Sequence, residues 1–273
     1  MNSHANRIIN VVLPKSLRRR LREFLPPEVT RRLQKIRYLS EMREGTGGYE
    51  PEMHVIRKLV RKGDCVADLG ASLGWYTRFL SEVVGPGGMV MSFEPNIDNF
   101  EVLSHIRKRL RLDNVEVFNI AVSDTHGEKI MVVPRDDDTG ESDAYMTRIL
   151  SPEDSGTRGD FFPSRTARLD EFADRPFSFI KCDVEGHESE VLTGARSVLA
   201  GRPAWMIEVW GHPDREPRAK TVFARMAAEG YGAYILADDG LTVRPRMSGE
   251  TGPRGNYFFL RENHIAMIEA GEG

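Results

Sequence analysis

Four short stretches bring together residue types able to do chemistry. The first is Val66-Ala67-Asp68-Leu69-Gly70-Ala71-Ser72-Leu73-Gly74, an apolar run that ends in an acid and then turns through glycines into a helical pattern opening at Trp75. Glycine serves where a backbone must turn sharply and let a ligand approach main-chain N–H groups. The D-x-G-x-x-x-G spacing has an acid where the G-x-G-x-x-G of dinucleotide-binding enzymes has its first glycine. A diphosphate beside that carboxylate meets repulsion, whereas a sulfonium amino acid with its ammonium group is attracted. The acid therefore favours S-adenosylmethionine over NAD. The second stretch, Phe93-Glu94-Pro95-Asn96, places a carboxylate at a strand end, where it can accept hydrogen bonds from both ribose hydroxyls; Pro95 turns the chain away with no competing N–H. Replacing Glu94 is expected to weaken cofactor binding with little loss of folding, as a strand-end carboxylate is not core.

In the third stretch, Asn119-Ile120-Ala121-Val122-Ser123-Asp124, small residues leave room for an adenine ring, whose edge a backbone N–H or Ser123 can read. The fourth, Ile180-Lys181-Cys182-Asp183-Val184-Glu185-Gly186-His187-Glu188, puts ionisable side chains at the carboxyl end of another strand, the end at which open α/β sheets bind ligands. Strand alternation turns Lys181 and Asp183 to one side and Cys182 to the other. Asp183 and His187 can take up or hold a proton there and are the candidate catalytic groups. Glu208, ending the next strand, faces the same cleft, while Glu188 and Glu190 read as a solvated helix face. Asp183 and Glu208 alone are too few ligands for Mg²⁺, so no resident metal is expected unless a neighbour such as His212 completes a site.

These stretches resemble the FkbM family of S-adenosylmethionine-dependent methyltransferases over roughly residues 49–260. The resemblance rests on Asp68-x-Gly70-Ala71-x-x-Gly74-x-Tyr76-Thr77, Phe93-Glu94-Pro95-Asn96, Arg168-Leu169-Asp170 and above all the Ile180–Glu188 block. It implies a Rossmann-like seven-stranded α/β fold of strand order 3-2-1-4-5-7-6 with strand 7 antiparallel. It also implies transfer of the sulfonium methyl to a hydroxyl of a sugar, glycolipid or secondary metabolite, with S-adenosyl-L-homocysteine as product. Asp68, Gly70, Gly74, Glu94, Ala121 and Asp183 carry over as cofactor-pocket positions, and Ala71, Ser72, Tyr76, Thr77, Pro95, Asn96 and Ser123 join them as motif neighbours. Ser72 departs from the asparagine expected there. The competing readings are an NAD-linked oxidoreductase or epimerase, which lacks its glycine fingerprint here, and a non-catalytic cofactor-binding scaffold.

The elements that position these residues follow from patterning. From Glu50 onward short apolar runs alternate with helical stretches, which predicts βαβ units. Strands are expected over 65–68, 89–94, 115–119, 179–183, 204–208, 233–236 and 256–260, the last two as an antiparallel hairpin. Residues 134–166 read as a long polar loop, a lid carrying Tyr145, Phe161 and Phe162 for acceptor recognition. Cys65 and Cys182 fall inside central strands as buried thiols.

The chain has 273 residues, 40% of them hydrophobic, 29% charged and only two of them cysteine, which argues against a membrane-spanning or disulfide-stapled protein. Its net charge of −3 hides an asymmetry, because residues 1–45 hold 11 Lys/Arg against 4 Asp/Glu. Residues 1–48 read as a basic helical arm and 49–273 as the methyltransferase domain. Leu13, Leu17, Leu21 and Leu25 with Arg18, Arg19, Arg20 and Arg22 predict one amphipathic helix. Val29, Leu33, Ile36 and Leu39 predict the apolar face of a second, running from about Pro27 to Met42. These faces are expected to pack on the domain or on a second subunit, or to meet an anionic membrane surface. No nucleic-acid partner is expected, since no aromatics interleave the basic run. With no apolar signal segment, the expected compartment is the cytoplasm, with peripheral contact at the inner face of the membrane.

Overall fold

The computed structural model describes residues 27–45, 48–135, 144–151, 156–211, 216–247 and 254–270. The first helix of the arm and His212 lie outside them. The strands are β1 Cys65–Leu69, β2 Met89–Phe93, β3 Val115–Phe118, β4 Ala121–Val122, β5 Gly127–Pro134, β6 Arg148–Ile149, β7 Gly159–Ala167, β8 Phe177–Cys182, β9 Ala204–Trp210, β10 Gly232–Leu236, β11 Val243–Pro245 and β12 Arg254–Leu260. The helices are α1 Pro27–Glu44, α2 Glu52–Leu59, α3 Trp75–Val84, α4 Ile97–Leu110, α5 Glu188–Thr193, α6 Arg196–Ala200, α7 Pro217–Ala228 and α8 Glu262–Ala270.

Eight strands form the main sheet in the order β11-β10-β12-β9-β8-β1-β2-β3. Pairing is parallel from β3 to β9, and β12 runs antiparallel to both β9 and β10. This is the 3-2-1-4-5-7-6 order with one addition. The segment joining the last two expected strands carries β11, which pairs antiparallel with β10 and forms the sheet edge.

Both faces of the sheet are covered, as parallel strands require. Leu69, Phe93, Ile180 and Ile207 pack to one side with Val191, Leu192 and Val222. Val66, Val90, Phe179 and Met206 pack to the other with Ile56, Leu80 and Phe258. Cys65 and Cys182 are buried free thiols of the first layer.

The expected loop over residues 134–166 is corrected. A second, four-stranded sheet, β4-β7-β5-β6, occupies this region, with β5 and β7 antiparallel from Gly127↔Thr166 to Pro134↔Gly159. The polar content of β7 hides it from pattern reading, and Pro163 argues against a paired strand. Pro163 is tolerated because β4 covers β7 only at Thr166 and Ala167, so the side of β7 away from β5 is an open edge at the proline.

The packing of α1 also differs from expectation. Leu39 and Met42 are buried, Met42 against Leu73, Val102 and Ile106, while Val29, Leu33 and Ile36 are 39–44% exposed. The seam therefore runs through the carboxyl-terminal half of the helix, with Lys35 paired to Glu101 of α4 at 3.0 Å.

Candidate active site

The turns following β1, β2 and β8, together with β9, wall a cavity of about 280 Å³, and residues 144–149 and Met131 of the second sheet close its opposite side. Gly70, Ala71, Ser72, Tyr76, Glu94, Pro95, Ala121, Asp183, His187 and Glu208 all line it. Asp68, Gly74, Thr77, Asn96 and Ser123 do not; they stand behind the lining residues.

Asp68 is completely buried under the turn. Its Oδ2 accepts the Thr77 hydroxyl at 2.7 Å, and its Oδ1 lies 3.7 Å from Lys181 Nζ. Thr77 thus serves Asp68, and the acid at the strand end holds the turn together from below. Gly74 caps α3 at φ +91, where an added Cβ would lie 2.3 Å from Leu103 Cδ1. Asn96 caps α4, its Oδ1 accepting from the Asp98 and Asn99 N–H groups, and its Nδ2 donates to Thr147 Oγ1 at 3.1 Å. Ser123 has its N–H on Ala167 O, and its hydroxyl lies 2.8 Å from His187 Nε2, so it orients the imidazole.

The turn's N–H groups are also used within the protein. Gly70 and Ala71 both donate to Phe93 O, Gly74 to Ala71 O, and Ser72 to Glu94 Oε2 at 2.7 Å. Glu94 Oε1 accepts the Asn96 N–H at 2.8 Å. Glu94 is only 4% exposed, and burial pushes its carboxyl up to about 7 against those two hydrogen bonds. This corrects the view of Glu94 as a strand-end group with little bearing on folding.

The cavity consequently offers acceptors. Ser72 Oγ and Asp183 Oδ1 are buried with no hydrogen-bond partner among the described residues. Each Glu94 oxygen accepts one backbone N–H and retains a further lone pair. Hydroxyls, ammonium and sulfonium groups suit such a wall, and a diphosphate, which needs donors, does not.

At the far end Asp183, Glu185 and Glu208 bring one carboxylate oxygen each within 4.8 Å of one another. Pattern reading counts two carboxylates here; Glu185, with φ +56 just before Gly186, is the one it misses. Lys181 Nζ lies 3.2 Å from Asp183 Oδ2, so a cation already faces this group. Trp210 Nε1 donates to Glu208 Oε2 at 3.2 Å.

His187 is largely buried, and desolvation lowers its pKa to about 4, which keeps the imidazole neutral at pH 7. Glu188 contradicts its reading as a solvated residue: it is 3% exposed, its Oε1 accepts the Gly186 N–H at 2.8 Å, and burial raises its carboxyl to about 8. Glu50, which accepts the Tyr76 hydroxyl at 2.6 Å, and Asn256 complete the wall. No spacing rule connects either to the motifs.

Residues 64–233 match the family model described as the methyltransferase FkbM domain. The chain belongs to the FkbM methyltransferase family. A crystal structure of methyltransferase FkbM from Methylobacillus flagellatus KT is similar at 17% identity and TM-score 0.47, over 77% of this chain and 50% of that one. The chain thus spans half the length of that FkbM protein. A putative rRNA-methylase from Clostridium thermocellum matches at 13% identity and TM-score 0.47, over 77% and 92% of the two chains. A SAM-dependent O-methyltransferase from Thermotoga maritima matches at 12% identity and TM-score 0.45, over 82% and 71%. A search of the curated proteins finds no match. The family model is one of methyltransferases and weighs against the NAD-linked reading. Among the described residues no helix is long and apolar enough to cross a membrane.

Proposed function

We propose that this FkbM-family chain transfers the methyl group of S-adenosylmethionine to a hydroxyl oxygen of a sugar, glycolipid or secondary metabolite. The observation that carries the reading is Asp183, whose Oδ2 is held by Lys181 and whose Oδ1 has no hydrogen-bond partner while the residue lines the cavity. Ser72 and Glu94 are assigned to the cofactor's hydroxyl and polar groups, and the apolar wall of Phe93, Ile120, Ala121 and Ile149 to its adenine. When bound, the cofactor supplies an electrophilic methyl on a cationic sulfur. The protein's own work is to orient the acceptor and take its proton. An alcohol loses that proton late, as the C–O bond forms, and the Asp183 carboxylate, fixed by Lys181 at the cavity wall, is suited to accept it. His187, neutral and fixed by Ser123, supplies a hydrogen-bonding group beside it. Glu208 can bind a second hydroxyl of a polyhydroxylated acceptor.

The test is calorimetric titration with S-adenosylmethionine, S-adenosylhomocysteine and NAD, followed by methyl-transfer assay over a library of glycans and other alcohols. Asp183→Asn is expected to keep the fold and the affinity for S-adenosylhomocysteine and to slow turnover roughly 10²- to 10⁴-fold. Full activity of that variant would move the proton-accepting role to His187 or Glu208. Cofactor binding with no transfer to any acceptor would favour the scaffold reading. The expected setting is the cytoplasm, with the basic arm contacting an anionic membrane face or a second copy of the chain.

A further inference from the structure

Between the glycine turn and the acceptor end of the cavity stands one ammonium among carboxylates. Lys181 closes β8 one residue before Cys182 and is 5% exposed. Its Nζ donates to Gly70 O at 3.0 Å, lies 3.2 Å from Asp183 Oδ2 and 3.7 Å from Asp68 Oδ1, and stands 5.3 Å from the centre of the Tyr76 ring. An ammonium has three N–H groups, and three oxygens from two segments, the end of β1 with its turn and the end of β8, face them. Burial pulls the lysine pKa down, but Asp183 and Asp68 outweigh it and hold the group above its ordinary value, so it stays charged. Such a cation has no lone pair for a proton.

We propose that Lys181 is a positioning residue, clamping the Asp183 carboxylate to the carbonyl of Gly70 so that the methyl-donor turn and the Asp183 carboxyl group are held as one unit. The inference rests on the cavity's taking S-adenosylmethionine, as argued above. The clamp has a second effect. Lys181 offsets the negative field of Asp68 and Asp183 at the place where the cofactor's sulfur must sit for transfer. Without it, a cationic sulfonium should be held more tightly relative to the neutral thioether of the product.

The experiment compares affinities for S-adenosylmethionine and S-adenosylhomocysteine by titration calorimetry at pH 8, using the full chain. The two ligands differ only in one methyl and one charge, so a purely structural defect weakens both alike. Lys181→Met is expected to raise the preference for S-adenosylmethionine about fivefold or more, the scale of removing one nearby charge in a partly desolvated site. Adding Asp183→Asn should cancel most of that rise, because the coupling belongs to the pair. Should Lys181→Met fail to fold, Lys181→Gln, which keeps a donor for Gly70 O without the charge, should shift the preference in the same direction. A preference unchanged in the variants, or a rise that Asp183→Asn leaves intact, overturns the clamp while cofactor use stands. Wild-type protein that binds neither ligand overturns the methyltransferase reading and this one with it.

Discussion

Two carboxylates show how burial, and not only residue type, decides what a site residue does. Glu94 accepts two backbone N–H groups from separate turns, so Glu94→Ala strands both donors in a buried place. The variant should lose roughly 1–3 kcal/mol of cofactor affinity and a comparable amount of stability, read by titration and by thermal melting. A variant with a wild-type melting temperature would show that the two N–H groups find other partners. Glu188 makes a pH prediction. Burial holds its carboxyl near 8 in the folded chain, against an ordinary value of 4.5, so the folded state keeps a proton that the unfolded chain releases. Stability from this group is complete below about pH 4.5 and is lost as the pH rises through 8. Glu188→Gln should melt higher than wild type at pH 9 and nearly level with it at pH 5. The residue types of the site were legible in sequence because motif spacing fixes which strand end each occupies. Exposure was not: Glu188 reads as solvated since its neighbours Glu190 and Ser189 are polar, and only the fold shows Gly186 turning it inward.

The parallel strands and the helices between them were legible as elements, each being a run of apolar residues bounded by glycine, proline or a capping side chain. The second sheet was not, because β7 alternates weakly and carries a proline at an open edge, a tolerance that no single strand displays. The turn after β1 depends on backbone space. Gly70 has φ +72, and an added Cβ would lie 1.8 Å from the carbonyl oxygen of Asp183. Gly70→Ala should therefore push the β1 and β8 turns apart, abolish measurable cofactor binding and cost roughly 1–2 kcal/mol in backbone strain alone. Gly87→Ala is the control, since its Cβ would meet nothing within 4 Å. Equal cofactor affinity in the two variants would show that the turn tolerates the displacement.

Across the whole molecule, the excess of positive charge in residues 1–45 contrasts with the acidic remainder. Deleting residues 1–45 uncovers Leu73, Val102 and Ile106, which pack with Met42, and should lower the melting temperature by several degrees. Replacing Arg18, Arg19, Arg20 and Arg22 with glutamine leaves that seam untouched. If the arm meets anionic lipid, co-sedimentation with phosphatidylserine vesicles should fall on this replacement, by about 1 kcal/mol per charge, and also as salt rises. Absence of vesicle binding by the intact chain would assign the arm to packing or to self-association. One bond gives this arrangement a thermodynamic consequence. Tyr38 of α1 shares a 3.1 Å hydrogen bond with Tyr145, which lines the cavity beside Ala144 and Thr147. The bond joins the arm to the cavity wall, so the two equilibria, engagement of the arm and occupancy of the cavity, are linked to the extent that engaging α1 alters Tyr145. Whatever factor a surface bound by α1 applies to cofactor affinity, the cofactor must return to the affinity for that surface.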